Sequence, residues 1–148
     1  VNFDLVTYNL EVWNEDKLKE VCPGKHELGG RRYYIESAKR TMEILGRGHF
    51  GIIFTVGPWE FVQSIIEGSK QLAAEGILPI PVVFHPGKGA EYSWMGTTNT
   101  EDLIILYREI YKIYKENDLI PKNRTRPAGS EKSFRNSLIN EAVLGYLN

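Results

Sequence analysis

The chain has 148 residues, 42% of them hydrophobic and 25% charged, and a net charge of −1. That length suits a single domain with an apolar core, and the charge balance offers no basic field for nucleic acid or anionic lipid. No apolar run predicts a membrane span and no leader pattern is expected. The one cysteine, Cys22, excludes an internal disulfide and suits a reducing compartment, so a cytoplasmic location is expected. Asn123-Arg124-Thr125 matches a glycosylation sequon and is read as chance. The chain opens on Val1 with a strand-like run from Phe3, which predicts missing upstream sequence.

Residues Phe3 to Val12 are rich in β-branched and aromatic side chains and predict a strand. A loop containing Gly and Pro follows. Ile35, Ala38, Met42 and Leu45 then recur at helical spacing, with Gly46 as a stop. Gly51 to Val56 predicts a buried strand ended by Gly57-Pro58, and Val62, Ile65, Ile66, Ser69, Leu72 and Ala73 mark a second helix stopping near Gly76. Ile80 to Phe84 predicts a third strand, weakened by Pro79 and Pro81. Leu103, Leu106, Ile110 and Ile113 form a third helical stripe, capped by Asn99 or Thr100. A polar linker with Pro121 and Pro127 then leads to a last helix over 131–147.

Strands alternating with helices imply an α/β fold of three consecutive parallel βα units. Three units suit half of a (β/α) barrel or a small open sheet. The organisation expected is βα units over 1–120, then linker and C-terminal helix over 121–148. Ligands of such sheets bind at the carboxyl ends of the strands.

Alternation along the first strand places Asn9 and Glu11 on one face near its carboxyl end. A carboxylate beside an amide suits a vicinal diol, because the carboxylate accepts from the hydroxyls while Asn both donates and accepts. Lys25, Arg31 and Arg32 follow in the sequence, where they either steer an anionic group or form a solvated helix start. His85 falls at the end of the third strand, within reach of a bound ligand. Glu60 is expected to cap the helix after it. Cys22 and His26 lie four positions apart, and His49 falls at the opposite end of the sheet from Asn9. These residues do not supply the convergent ligands a zinc site needs, so no metal site is expected. Trp13, Trp59 and Trp94 fall near strand-end loops, where they either pack or stack on a ligand.

Tyr8-Asn9-Leu10-Glu11-Val12 with Cys22-Pro23-Gly24-Lys25 resembles the fourth-strand region of biotin-synthase-like radical S-adenosylmethionine (AdoMet) enzymes. Gly48 to Glu60 resembles the fifth strand with its Gly-x-x-Glu turn. Gly57 and Glu60 match that pattern, whereas Ile53 and Thr55 depart from it. Pro81 to Gly89 resembles the sixth strand and its loop. The resemblance covers residues 3–120 and implies the C-terminal half of a TIM-like radical-AdoMet barrel. It implies that Asn9 and Glu11 hold the ribose hydroxyls of AdoMet, with Thr55, Val56, Gly57, Phe84 and His85 around the adenine. Lys25 and Arg32 are then expected near a small-molecule substrate.

In the family a [4Fe–4S] cluster held by three closely spaced cysteines starts the chemistry by cleaving AdoMet. With Cys22 alone, the cluster ligands are expected outside this chain, and the chain by itself is expected to be inactive. Its expected partner is a missing N-terminal half-barrel or a second copy, with no nucleic acid and no membrane. Two other readings stay open: a non-catalytic nucleoside- or sugar-binding α/β module, and a structural subunit that completes a barrel with another chain.

Overall fold

The computed structural model describes residues 5–120. The linker and helix expected over 121–148 lie outside the described residues. Three parallel strands, β1 (Val6–Glu11), β2 (Phe50–Val56) and β3 (Leu78–Val83), form an open sheet in the order β1-β2-β3. Between and after them run α1 (Glu15–Val21), α2 (Pro23–Glu27), α3 (Gly30–Leu45), α4 (Val62–Ala74) and α5 (Thr100–Glu116). Parallel strands in sequential order need crossovers of one hand, which place the helices on a common face.

The alternation along β2 separates the two faces. Phe50, Ile52, Phe54 and Val56 are wholly buried and join Leu10, Val12, Ile65, Leu72, Leu106 and Ile110 in one apolar core. Gly51, Ile53 and Thr55 alternate with them, in register with Thr7 and Asn9 on β1 and with Ile80 and Val82 on β3. This second face is half open: Thr7 and Asn9 are exposed, Ile53, Thr55 and Ile80 are intermediate, and Val82 is 46% exposed.

The expected loop between the first strand and its helix instead contains α1 and α2. Asn14 caps α1 by accepting from the Lys17 N–H at 3.1 Å, with Glu15 and Asp16 in the first turn. Pro23 starts α2, where its missing N–H costs nothing. Elsewhere the expected elements are present with small changes in their bounds. Asn99 caps α5 by accepting from the Asp102 N–H at 2.8 Å. Gly76, at φ 87°, follows α4. There the Arg47 guanidinium donates to the carbonyls of Ala73 and Ala74 and to that of Asn117 after α5, a cation placed at two helix C-termini.

A strand-end site built on Glu11

At the carboxyl end of β1 the ladder register shifts between Asn9 and Glu11. Glu11 has φ 77°, a left-handed conformation that a non-glycine residue adopts at a cost. The kink leaves the Leu10 side chain in the core, fully buried, and carries the Glu11 carboxylate towards β2. There one carboxylate oxygen accepts from the Thr55 hydroxyl and the other from Lys25 Nζ at 3.0 Å. Lys25 Nζ also donates to the Asn9 carbonyl at 2.7 Å. Simple alternation thus predicts the pairing of Asn9 with Glu11, but a bulge delivers it.

Burial by itself pushes the Glu11 carboxyl up. Hydrogen bonds from Thr55 and Lys25, the Lys25 charge and the Asn9 side chain outweigh it, so the group sits below its ordinary value of 4.5. Lys25 belongs to α2, not to a loop. The Cys22 thiol, just before it, is pushed up by burial, with the Glu11 charge adding to the effect and Lys25 opposing it. Cys22 is therefore not an activated nucleophile. No group of three or more His, Cys, Asp or Glu side chains that could hold a metal ion occurs among the described residues.

Glu60 does not cap α4 as expected; Phe61 occupies the cap position without a side-chain bond. Its carboxylate instead accepts from the backbone N–H of Trp13 at 2.9 Å and of Asn14 at 2.7 Å, and from the Ser64 hydroxyl at 2.7 Å. It ties the segment after β1 to the turn after β2. Trp13 is buried on Gly68 of α4, and Arg31 stacks over its ring at 4.4 Å. Arg31 also pairs with Glu15 at 3.8 Å, so it braces α3 against α1. Arg32 is exposed.

The ends of β2 and β3 meet at an aromatic cluster. The Trp59 ring lies over the Gly57 Cα, where a Cβ would approach it to 2.5 Å. Trp59 also packs edge-on against Phe84 at 4.7 Å and meets Tyr92 at 6.0 Å. Its indole Nε1 is buried without a hydrogen-bond partner among the described residues. The Val56 side chain belongs to the core, and its carbonyl accepts from the Phe84 N–H at 3.0 Å. His85 is exposed just beyond, and Trp94 is 77% exposed. Thr55, Val56, Gly57 and Phe84 thus share one sheet end, with Glu11 joined to it through Thr55. Sequence reasoning gave Glu60 the wrong partners and left Tyr92 out; no spacing signal links either to its contacts.

The fold and this polar strand end define an α/β module of parallel strand–helix units, of the Rossmann- or TIM-like kind, compatible with nucleotide or sugar binding. No family model matches the chain, and no solved structure matches it. Over 107 residues it is 26% identical to bacteriochlorophyllide c C-7(1)-hydroxylase of Chlorobaculum limnaeum, covering 72% of this chain and 27% of that protein. The chain therefore spans about a quarter of the relative's length. No described helix is long and apolar enough to cross a membrane.

Proposed function

We propose that this chain is the nucleoside-holding portion of a radical AdoMet enzyme, in which Glu11 and Asn9 receive the ribose hydroxyls of AdoMet. The observation that carries this reading is Glu11 itself. It is an ionised carboxylate, held at an unfavourable backbone angle at a strand's carboxyl end, with an amide beside it. Such local strain concentrates at functional positions. Thr55 and Lys25 each occupy part of the carboxylate, and every carboxylate oxygen has a second acceptor site for a hydroxyl. The residues present therefore fit a ribose.

They do not fit the iron–sulfur cluster. With one cysteine in 148 residues, the chain lacks the thiolates such a cluster needs. In the assembled enzyme AdoMet would supply hydrogen abstraction from substrate. The role of this chain's residues is to orient the nucleoside and, through the aromatic cluster at Trp59, to exclude water beside it. The similarity to a hydroxylase of bacteriochlorophyllide c supports an oxidative reaction on a small molecule bound partly outside this segment, with Lys25 and Arg32 on the substrate side.

Calorimetry of the chain with adenosine and 2′-deoxyadenosine tests the assignment. We expect adenosine to bind at least tenfold more tightly, a difference of about 1.4 kcal/mol, and Glu11→Ala to remove the preference. Equal affinities, or no binding of either, would reject it. The lone cysteine also favours a second reading, a non-catalytic nucleoside- or sugar-binding module. Native-length protein that binds adenosine but never converts AdoMet to 5′-deoxyadenosine would select it.

A further inference from the structure

Residues 84–99, between β3 and α5, hold turns but no helix or strand. Loops beyond roughly 12–15 residues without regular structure are uncommon and concentrate in lids and binding segments. Both ends of this one are fixed to a single atom. The Val56 carbonyl, at the end of β2, accepts from the Phe84 N–H at 3.0 Å and from the Thr98 hydroxyl at 3.4 Å. The residue before it, Thr55, holds the Glu11 carboxylate, so the loop is rooted beside the strand-end site. Ends that meet around a self-contained body are the marks of an Ω-loop.

Between its roots the loop is held mainly by itself. From 85 to 97 its backbone bonds among the described residues are all internal: the Ala90 N–H to Gly87 O at 3.1 Å, Ser93 to Ala90 at 2.9 Å and Met95 to Tyr92 at 3.1 Å. A Cβ added at Gly89 or Gly96 would meet nothing within 4 Å, and Trp94 is 77% exposed. The ring of Tyr92 reaches back to the body, where it meets Trp59 at 6.0 Å. A segment with few buried contacts and no ladder bonds opens at low free-energy cost.

The Tyr92–Trp59 contact carries a penalty of its own. Trp59 Nε1 is buried with no acceptor among the described residues, and a buried donor without a bond forfeits its hydration. That penalty falls on the closed arrangement alone, because an indole uncovered by Tyr92 donates to water. A ligand that brings an acceptor to Nε1 removes the penalty, and so binds the closed arrangement better than the open one. Such a difference in affinity is what a ligand needs to shift a two-state equilibrium.

We propose that residues 85–98 are a lid on the carboxyl ends of β2 and β3, latched by Tyr92 on Trp59, and that Trp59 Nε1 couples its closure to an acceptor atom of the bound ligand. The ligand class is a flat heteroaromatic ring with an in-plane acceptor, which suits both the donor and the aromatic walls, Phe84 and Tyr92. The choice of adenosine as probe rests on the reading of the site as a nucleoside holder; the latch does not.

Lys88 is the one Lys or Arg between 85 and 98. It is exposed, and Gly89 after it sits at φ 83°, a turn that a protease must straighten. Trypsin cleavage between Lys88 and Gly89, followed by mass spectrometry on the full chain, therefore reads the open population. Tyr92→Ala should be cut there about tenfold faster than wild type. Replacing the Trp59 indole by benzothiophene, through incorporation of benzothienylalanine, keeps the ring shape and removes the N–H; the cut should then be about tenfold slower. Saturating adenosine should slow the cut in wild type and leave it unchanged in the benzothienyl protein. An unaltered rate in Tyr92→Ala would overturn the latch, and an equal or faster rate in the benzothienyl protein would overturn the role of Nε1. Adenosine that binds by calorimetry without slowing the cut would overturn the coupling and leave the nucleoside reading standing. If adenosine does not bind at all, that reading fails, and the two ligand-free comparisons still decide the lid.

Discussion

The Glu60 carboxylate accepts the backbone N–H of Trp13 at 2.9 Å, joining residues 47 positions apart. The other oxygen takes the next N–H, of Asn14. These two donors belong to the segment that follows Glu11, so Glu60 holds the end of β1 where Glu11 can reach Thr55. Glu60→Ala strands a buried donor and a partly buried one, each worth about 1–3 kcal/mol. We expect a loss of about 3 kcal/mol, read as a lower urea midpoint at constant slope. Glu60→Gln, which keeps one acceptor, should fall between wild type and Ala.

The backbone angle at Glu11 makes an unusual prediction about small residues. At φ 77°, glycine is comfortable and alanine is not. Glu11→Gly should therefore be more stable than Glu11→Ala by about 1 kcal/mol, while both lose the preference for adenosine over 2′-deoxyadenosine. Thermal melts of the two variants decide it; an alanine variant equal to or better than glycine would mean the strain is absent.

The same carboxylate sets a pH dependence. Its folded value lies below 4.5, because the bonds from Thr55 and Lys25 outweigh the effect of burial. The stabilisation it contributes is then fully present above 4.5 and is lost as pH falls through the folded value. Urea midpoints of wild type and Glu11→Gln, compared between pH 7 and pH 3, should converge only in that acid range. Ribose binding should fade over the same interval.

How much of this was legible in the sequence follows from the range of each interaction. The three strands and the helices α3, α4 and α5 declare themselves through repeating apolar positions, such as Leu106, Ile110 and Ile113. At seven and five residues, α1 and α2 are too short to show a period, and Pro23-Gly24 reads as a turn. The sequence does hold one local clue, Asn14 followed by two acids. Pro79 and Pro81 read as a weakness of the third strand. In the fold β3 is an outer strand and both prolines turn away from β2, so their missing N–H breaks no ladder bond. The bulge at Glu11 and the partners of Glu60 depend on residues more than forty positions away, which no local pattern encodes.

The Cys22 thiol gives a chemical probe of the site. Burial raises its pKa, Glu11 adds to this, and Lys25 counteracts it. At pH 8 its alkylation by iodoacetamide should be slower than that of free cysteine. Glu11→Gln should accelerate the reaction and Lys25→Met should slow it. Slowing by Glu11→Gln, or acceleration by Lys25→Met, would separate Cys22 from the Glu11–Lys25 pair.

At the outer edge of β3, burial pushes the Tyr107 phenol up from 10.0 to about 12, and its hydroxyl donates to Pro81 O at 3.2 Å. Because the folded pKa is the higher one, the stabilisation from the neutral phenol is fully present below pH 10 and is lost as pH rises through about 12. Tyr107→Phe removes the bond and leaves the Pro81 carbonyl short of a partner, at a cost of about 1 kcal/mol at neutral pH. The variant should also lose part of the alkaline decline in stability, so the two urea-midpoint curves approach each other above pH 10. Absorbance at 295 nm gives the second readout. Wild type and Tyr107→Phe should absorb alike until the pH nears 12, since the buried Tyr107 phenol adds no phenolate absorbance below its raised pKa.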